Sequence, residues 1–458
     1  MKPISCHWVF KKKYDQNGVL TRHKARLVAN GSKQQYGIDY EETFAPVVKF
    51  ITLRLLLALC AFYDWECDHI DFDTAFLNGI LQEIVYMFQP PGFVSKAFPN
   101  RVLRLIKTIY GLKQSPCEWY RALHAYLVSQ GFQRLDTDNG LYIRKNGEKM
   151  IILAVYVDDL LIFGNDKPEI KLFKERIAKE FKVKDLGPVK FIVGMEVQRD
   201  RKARTIKVVQ CQYAKDLLER FHMDRATPSD TPEESSKILT KDGFKDHPKS
   251  KPLTTEPYLE LVGALIYLMV CTRPDLAHSV GVLSRYMSDP KRDHWNAAKR
   301  VLRYIKNTTD VGIVFGGQQK LRLEGYSDSS FANDIDDRKS TAGYGFMLNN
   351  GIISWSSKKQ PTVAQSTTEA EYMGLSTASA EAVWLNNLLV ELGFRTPNEP
   401  VKLYGDNQGS LMLSTNPKYH NRTKHIDIIY HHIRELIERK KIDLEYMPTK
   451  MMLAYRIY

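Results

Sequence analysis

The sequence predicts an α+β fold in its first part, followed beyond residue 320 by a second domain with its own alternating strands. Short apolar runs typical of strands recur at residues 84–88, 102–108, 141–144 and 150–158. Helical patterns occupy residues 115–130, with Pro116 in the first turn, and residues 169–181, which carry Lys and Glu on one face. A small sheet with helices on one side is an α+β arrangement.

The other segments predict a basic hairpin, further helices and a linker. Residues 8–13 and 19–29 are predicted as strands around Asn17-Gly18, a strong turn signal. Further helices are predicted at residues 52–62, 259–287 and 294–306. Residues 225–257 are polar and contain several prolines, which is typical of a linker. We therefore expect three domains, at residues 1–224, 225–319 and 320–458.

Composition favours an intracellular protein that binds a polyanion. The 458 residues carry a formal net charge of +13, and residues 1–60 hold ten Lys and Arg against four Asp and Glu. This excess suits nucleic acid, although a protein that is merely rich in lysine would show it too. The six cysteines are scattered without a Cys-x-x-Cys pair, which argues against zinc and redox motifs. We see no signal peptide and no apolar run of membrane-spanning length.

Adjacent carboxylates mark one candidate site. Asp158 and Asp159 lie between two short apolar runs, which predicts a hairpin with charge at its tip. The two carboxylates repel each other, so a cation or a proton has to compensate them, unless the turn is simply solvated. A third acid, Asp71, follows another strand-like run, and three converging acids suit a two-metal phosphoryl-transfer site. Asp73 shares a strand face with Asp71 and is not excluded by spacing.

These acids stand in motifs that resemble the palm motifs of reverse transcriptases. The motifs are Asp71-Phe-Asp-Thr-Ala-Phe-Leu-Asn-Gly79 and Tyr156-Val-Asp-Asp-Leu-Leu-Ile-Phe-Gly164. The resemblance narrows to the Pol polyprotein of copia-type LTR retrotransposons through Lys24-Ala-Arg-Leu-Val28, Gly37-Ile-Asp-Tyr-Glu-Glu-Thr-Phe-Ala-Pro46 and Tyr110-Gly-Leu-Lys-Gln-Ser-Pro116. It covers nearly the whole chain. It implies a polymerase of palm, fingers and thumb, followed by a ribonuclease H-like α/β domain.

The resemblance assigns roles around the first set of acids. Asp71, Asp158 and Asp159 are implied as ligands of Mg²⁺, with Mn²⁺ as the alternative, and Tyr156 as a residue that contacts the substrate. Phe76 is implied as the aromatic floor of the sugar pocket, where a flat ring leaves no room for a 2′-OH. A core aromatic after a strand is the other interpretation of Phe76.

Basic and polar residues are implied as further substrate contacts. Lys24 and Arg26 share a strand face in the fingers and would neutralise the incoming triphosphate, unless they only form a solvated basic face. Either Tyr110 or Gln114 takes the place beside the base pair, and the sequence does not decide between them. Residues 187–197 resemble the hairpin that positions the primer 3′ end, and an ordinary amphipathic hairpin is the alternative.

A second set of spaced acids lies in the last domain. Asp328 and Asp406 end strand-like runs, and a pair of glutamates opens a predicted helix, which together form a plausible metal cluster. The pattern resembles a ribonuclease H domain of the copia type. Ser366 and Glu369 have the spacing of a capping box, so we expect Glu371 to be the metal ligand.

The tail departs from the family pattern. The family carries an Ala-Asp pair after Pro448-Thr-Lys, and its Asp is a fourth metal carboxylate, whereas this chain has Ala454-Tyr455. Tyrosine cannot replace that carboxylate at neutral pH. His425 and Asp427 match a family segment near this site, with a helix N-terminus as the alternative. The short start, which shows no protease or integrase signature, leads us to expect a fragment of an element, from either a decayed or a misannotated copy.

The sequence therefore predicts an RNA-directed DNA polymerase with a ribonuclease H domain whose own activity is expected to be weak or absent. Its partners would be an RNA template, a DNA primer, an RNA–DNA hybrid and dNTPs, with no membrane. We expect an intracellular location in cytoplasmic particles, with the nucleus as an alternative. A non-catalytic nucleic-acid-binding remnant and a palm-type nucleotide cyclase are the rival classes. The cyclase leaves the basic hairpin and the last domain unexplained.

Overall fold

The computed structural model describes residues 2–14, 19–234, 236–246, 249–317, 320–415 and 428–454. Contacts divide the chain into two compact units. Unit 1 comprises Met1–Lys49 and Glu66–Val189, and unit 2 comprises Phe50–Trp65 and Lys190–Tyr458. Both units mix helices with strands, which agrees with the predicted α+β class.

Strands make up most of the regular secondary structure of unit 1. They are β1 (Cys6–Tyr14), β2 (Leu20–Ala29), β3 (Glu66–Phe72), β4 (Ile80–Phe88), β5 (Val102–Lys107), β6 (Gln133–Arg134), β7 (Leu141–Asn146), β8 (Lys149–Tyr156), β9 (Asp159–Gly164) and β10 (Val183–Pro188). In unit 2 the strands are β11 (Phe191–Ile192), β12 (Met195–Asp200), β13 (Thr205–Val209), β14 (Leu239–Thr240), β15 (Gly243–Phe244), β16 (Ile313–Phe315), β17 (Leu323–Ser330), β18 (Thr341–Leu348), β19 (Gly351–Lys359), β20 (Val401–Gly405) and β21 (Ile442–Tyr446).

The helices of the described residues are named in chain order. They are α1 (Phe50–Tyr63), α2 (Ser115–Ser129), α3 (Lys167–Glu180), α4 (Cys211–Arg220), α5 (Tyr258–Cys271), α6 (Ala277–Ser284), α7 (Arg292–Asn307), α8 (Thr367–Glu391), α9 (Gln408–Thr415) and α10 (His432–Glu438). Helices α2 and α3 belong to unit 1, and the others belong to unit 2.

Unit 1 is organised around a sheet of order β10-β3-β9-β8-β7-β6. Neighbouring strands in it are antiparallel. Its strands β8 and β9 are nearly continuous apolar runs, and both are buried along most of their length. One sheet face packs on α2 and α3 through a single core that includes Phe72, Trp119, Leu153 and Phe173. The helices therefore lie on one side of the sheet, as the sequence pattern predicted.

Two hairpins complete unit 1. Strands β1 and β2 pair antiparallel, which agrees with the predicted basic hairpin, and its Asn17-Gly18 turn lies outside the described residues. Strands β4 and β5 form a separate two-stranded ribbon. The chain at Tyr110 bridges to Val28 of β2, where the φ of Gly111 is +94° and a Cβ on Gly111 would meet the carbonyl oxygen of Ala29 at 2.0 Å. Only glycine allows this approach.

Unit 2 contains a mixed sheet of order β19-β18-β17-β20-β21. Strands β17, β18 and β19 are antiparallel neighbours, whereas β17 and β20, and β20 and β21, are parallel. Parallel pairs need crossover connections, and α8 lies in the connection that leads from β19 to β20, the parallel partner of β17. Helices α4 to α7 pack around a second apolar core. Strands β11, β12, β13 and β16 form a further antiparallel sheet.

The predicted boundaries at residues 224 and 319 both fall inside unit 2 and stay predictions. Helix α1 lies in the predicted first domain but belongs to unit 2; it is apolar on nearly all sides and buried from Thr52 to Ala61. Its Arg54 donates to the carbonyl oxygens of Val270 and Ile353, both at 2.7 Å, so the helix is bound to unit 2. The sequence predicted this helix but not its partners.

Two further predictions need correction. The helix predicted at residues 259–287 is interrupted between α5 and α6, where Pro274 opens a 3₁₀ turn. The predicted linker at residues 225–257 packs along α7. There Arg300 pairs with Glu234 at 2.6 Å, and Lys306 donates to the carbonyl oxygen of Ala226 at 2.8 Å. The polar side chains and backbone of residues 225–257 therefore contact α7, and this segment is not a free linker.

Candidate active sites

The first set of acids lies at one end of the unit 1 sheet. Strands β3 and β9 place Asp71 directly opposite Asp159, and the β8–β9 hairpin pairs Tyr156 with Asp159. Asp158 stands at the hairpin tip, where the backbone N–H of Phe72 donates to its carbonyl oxygen at 2.8 Å. The structure therefore brings together the three acids that the motifs singled out.

Mutual repulsion and loss of water act on these carboxyls. Burial raises the pKa of Asp71, and the negative charges of Asp158 and Asp159 raise it further. Desolvation and Asp159 also raise the pKa of Asp158, whereas the nearby cations of Lys24 and Arg26 lower it. A site that disfavours its own negative charge favours a bound cation. The influence of Lys24 and Arg26 on Asp158 indicates that the basic hairpin lies near the tip, and its role as fingers stays a prediction.

Asp73 and Asp159 each have a further polar partner near the cluster. Lys182 pairs with Asp73 at 3.0 Å and lowers its pKa, so the Asp73 carboxylate is engaged outside the cluster. Asp159 accepts a hydrogen bond through Oδ1 from Nε2 of His69 at 2.7 Å. Among the described residues, the group of three acids whose carboxylate oxygens all lie within 4.8 Å of one another is in unit 2. The three acids of unit 1 are more widely spaced.

Aromatic and basic side chains line the approach to these acids. The ring of Tyr110 meets that of Phe76 at a centroid distance of 5.3 Å, and the guanidinium of Arg26 lies 5.0 Å from the centroid of the Tyr110 ring. Phe76 is half-buried and also packs against the unit 1 core. Both predicted interpretations of Phe76 therefore remain, since its side chain packs against the core and its ring also meets Tyr110.

Gln114 is a structural residue in this geometry. It is fully buried, its Nε2 donates to the carbonyl oxygen of Asp39 at 2.8 Å, and its Oε1 accepts from Nε2 of Gln34 at 2.9 Å. Its amide is thus committed to the loop at Asp39. Of the two candidates that the sequence left open, Tyr110 is the one beside Phe76 and Arg26, and a role for it at the base pair stays a prediction.

The second set of acids forms a tight cluster in unit 2. Asp328 lies on β17, Asp406 follows β20 and Glu371 lies in the first turns of α8, and their carboxylate oxygens come within 4.8 Å of one another. The parallel pairing of β17 with β20 brings the two strand ends to one edge. Sequence spacing predicted all three members.

Helix α8 reaches this edge because one of its residues has no side chain. A Cβ on Gly374 would stand 2.3 Å from Oγ of Ser329, so glycine allows the close packing of α8 on β17. The backbone N–H of Ser329 then donates to Oε1 of Glu371 at 3.0 Å. Glu369 instead caps the helix, since its carboxylate accepts from the N–H of Gln365 at 2.9 Å and its own N–H donates to Ser366.

Burial and two neighbouring acids raise the pKa of Glu371 to about 9. Three carboxylates at this spacing are the oxygen donors that Mg²⁺ and Mn²⁺ prefer, and a cation would remove the repulsion that raises the pKa. The residues present therefore fit a divalent ion. Thr449 donates to Asp406 through its hydroxyl. Tyr455, His425 and Asp427, which the sequence also placed near this site, lie outside the described residues.

Proton binding at Glu371 makes a testable prediction about pH. Because its pKa is raised, the folded metal-free protein holds this proton more tightly than the unfolded chain, so the stabilisation is present at low pH and is lost as pH rises towards 9. In chelator, Tm should fall between roughly pH 6 and 9, and it should fall less in Glu371→Gln. Mg²⁺ should raise Tm more at the alkaline end, because protons compete with it. Identical slopes for both proteins would contradict the predicted proton at Glu371.

Some residues of these sites gave no sequence signal. Trp119 contacts the tip of the β8–β9 hairpin, His69 contacts Asp159, and Gly374 admits α8 to the sheet. Each acts across elements that are distant in sequence, so periodicity and spacing could not reveal it. In unit 2, strands β11 and β12 form a hairpin within the segment 187–197 that was predicted to position the primer. Tyr267 holds the turn of this hairpin, because its hydroxyl donates to the carbonyl oxygen of Val193 at 2.6 Å.

Acids paired at strand ends beside a basic hairpin are typical of a metal-dependent enzyme or a nucleic-acid-binding protein. A comparison with known protein families narrows this class, because the family described as "Reverse transcriptase (RNA-dependent DNA polymerase)" matches residues 1–235. The chain belongs to this reverse transcriptase family. Within the described residues, no helix combines the length and the apolar character that crossing a membrane requires.

Similarity to individual proteins extends beyond the matched part. The chain is 44% identical over 457 residues to the "Retrovirus-related Pol polyprotein from transposon TNT 1-94" of Nicotiana tabacum. The aligned region covers 98% of this chain and 34% of that protein. The chain is 42% identical over 451 residues to the corresponding polyprotein from transposon RE2 of Arabidopsis thaliana, with 98% and 30% covered. The predicted resemblance to copia-type Pol polyproteins is confirmed. The chain spans about a third of the length of these relatives.

A solved ribonuclease H1 isolated from compost resembles part of the chain weakly. The match covers 30% of this chain and 91% of that chain, with 15% identity and a TM-score of 0.23.

Proposed function

We propose that unit 1 is an RNA-directed DNA polymerase that adds dNTPs to the 3′-OH of a DNA primer on an RNA template. The observation that carries the proposal is the pairing of Asp71 with Asp159 across β3 and β9, with Asp158 at the adjoining tip, in a chain of the reverse transcriptase family. The six-stranded sheet would be the palm, and the hairpin of β1 and β2 would be the fingers. Helices α5 to α7, which follow in the chain, would be the thumb.

The residues of unit 1 supply charge, shape and order. Asp71, Asp158 and Asp159 would hold divalent metal, which when bound activates the attacking hydroxyl and stabilises the leaving oxygen. Lys24 and Arg26 reach the same region and would neutralise the triphosphate, whose β- and γ-phosphates leave as pyrophosphate.

The sugar and the base would meet the aromatic residues. Phe76 would form the floor under the sugar, and Tyr110, whose ring meets it edge-to-face, would stand beside the base. Tyr156 opposite Asp159 would contact the primer end. Preorganised groups of this kind cost no reorganisation during the reaction.

Unit 2 is proposed to carry a ribonuclease H site at Asp328, Glu371 and Asp406, which would hydrolyse the RNA strand of an RNA–DNA hybrid. The three acids can hold one metal ion with their close spacing. The tail carries Tyr455 where the family pattern places a further acid, so we propose that this activity is weak.

Primer extension separates this function from its rivals. With a homopolymer RNA template, a complementary DNA primer and the matching dNTP, the polymerase should lengthen the primer in the presence of Mg²⁺ and not in chelator. A nucleic-acid-binding remnant would retain the template in a gel shift without lengthening the primer. A cyclase would convert a free nucleotide without any template. Template-independent turnover or complete inactivity would therefore refute the proposal.

Sugar selection gives a prediction at Phe76. Phe76→Val should admit ribonucleotides, because a smaller side chain opens space for the 2′-OH, and the ratio of rNTP to dNTP incorporation should rise by roughly tenfold or more. Phe88→Val, an exposed aromatic on β4, is the control and should leave the ratio unchanged. An active Phe76→Val enzyme with the ratio of the parent would return Phe76 to the role of a core aromatic.

A further inference from the structure

Val157 has an unusual backbone conformation at the tip of the β8–β9 hairpin. Its φ is +56°, in the left-handed region that glycine adopts freely and that β-branched residues rarely enter. Asp158 follows directly, so the direction of its carboxylate depends on this dihedral angle. A strained residue at such a position persists only where its surroundings hold it.

Two hydrogen bonds hold the tip from within unit 1. The indole Nε1 of Trp119 on α2 donates to the carbonyl oxygen of Val157 at 2.7 Å, and the backbone N–H of Phe72 donates to that of Asp158 at 2.8 Å. Trp119 is only 2% exposed, and its ring meets those of Phe72 and Phe181 at centroid distances of 4.9 and 5.4 Å. The core therefore fixes the direction of the indole N–H.

Open space beside the tip would let the backbone relax without this bond. A cavity of about 110 Å³ is lined by Trp119 and Val157, together with Phe76 and Pro46. Because the cavity touches both partners of the hydrogen bond, Val157 has room to leave the left-handed region once the donor is removed.

We propose that Trp119 is a positioning residue of the polymerase centre. Its indole N–H holds Val157 in the left-handed conformation and thereby fixes the Asp158 carboxylate relative to Asp71 and Asp159. The inference rests on the proposed function, and it assigns to Trp119 an action through Val157 rather than on the substrate.

Trp119→Phe tests the hydrogen bond, because it keeps an aromatic ring in the core and removes the donor. In primer extension kcat should fall by roughly tenfold or more, since small displacements of reacting groups are costly, while KM for dNTP changes by less than about twofold. Phe132→Leu, in the same core cluster, is the matched packing control. It should lower Tm and leave kcat within about twofold.

A second substitution separates positioning from packing. Val157→Gly should recover most of the lost kcat in the Trp119→Phe background, because glycine occupies the left-handed region without the hydrogen bond. Alone it should lower kcat less than Trp119→Phe does, because glycine reaches the same dihedral angles. If the double variant is as slow as Trp119→Phe, Trp119 acts through packing and the proposal is overturned.

Mn²⁺ titration by electron paramagnetic resonance gives a readout that does not need polymerisation. In an Asp328→Asn background, which weakens the cluster of unit 2, Trp119→Phe should reduce Mn²⁺ affinity severalfold, and Val157→Gly should restore it. This pattern in a protein that never extends a primer would refute the polymerase and keep the positioning role. Unchanged affinity and unchanged kcat in Trp119→Phe would overturn the positioning role and keep the polymerase.

Discussion

Asp158→Asn is expected to reduce DNA synthesis by about a thousandfold or more, which corresponds to roughly 4 kcal/mol of transition-state stabilisation. Asparagine preserves the shape of the side chain and removes the charge that would hold metal at the hairpin tip. Affinity for the template should change little, because contacts with phosphates elsewhere supply most of it. Steady-state primer extension and a gel shift with the same primer-template measure the two properties side by side.

Asp73→Asn is the matched control for this prediction. Asp73 follows the same strand as Asp71, but its carboxylate pairs with Lys182 at 3.0 Å. Its loss should therefore leave the rate of extension within about threefold of the parent, as expected for an ion pair near the surface. Undiminished synthesis by Asp158→Asn would refute the assignment of the centre. Equal inactivity of both variants would indicate damage to the fold, which Tm would reveal.

Tyr455→Asp is expected to raise ribonuclease H activity by roughly a hundredfold from a weak or undetectable level. Asp328, Glu371 and Asp406 are close enough to hold one ion, and a further acid would help to hold a second. Either nucleophile activation or leaving-group stabilisation suffers when one ion is poorly bound, and each is worth several kcal/mol. Cleavage of a labelled RNA–DNA hybrid by the parent and the variant measures the difference.

Glu371→Gln in the Tyr455→Asp background identifies the site of that activity. The added substitution should abolish the gain, because it removes the carboxylate at the centre of the cluster, while primer extension by unit 1 continues. Robust hybrid cleavage by the unmodified chain would show that the argument about the fourth acid is wrong. Asp427 would then be the first candidate for that role, and Asp427→Asn would test it.

Local patterns in the sequence were sufficient for the elements that carry the acids. The short apolar runs on either side of Asp158 and Asp159 predict a hairpin, because such runs and the polar residues between them act between neighbours. Ser366 and Glu369 likewise indicate the start of α8, and the hydrogen bonds at that helix start agree with the predicted cap. The motifs also identified the family before any contact was known.

Long-range pairing decided what the sequence left open. Three features join segments that are far apart in the chain. They are the register that sets Asp71 opposite Asp159, the hydrogen bond from Gln114 to Asp39, and the packing of α1 in unit 2. No local period encodes such partners, since they depend on which surfaces meet when the core forms. The bond from Trp119 to Val157 is of the same kind. The sequence by itself determined which residues could react, and only the tertiary structure decided which neighbours orient them, because hydrogen bonding and packing act through space rather than along the chain.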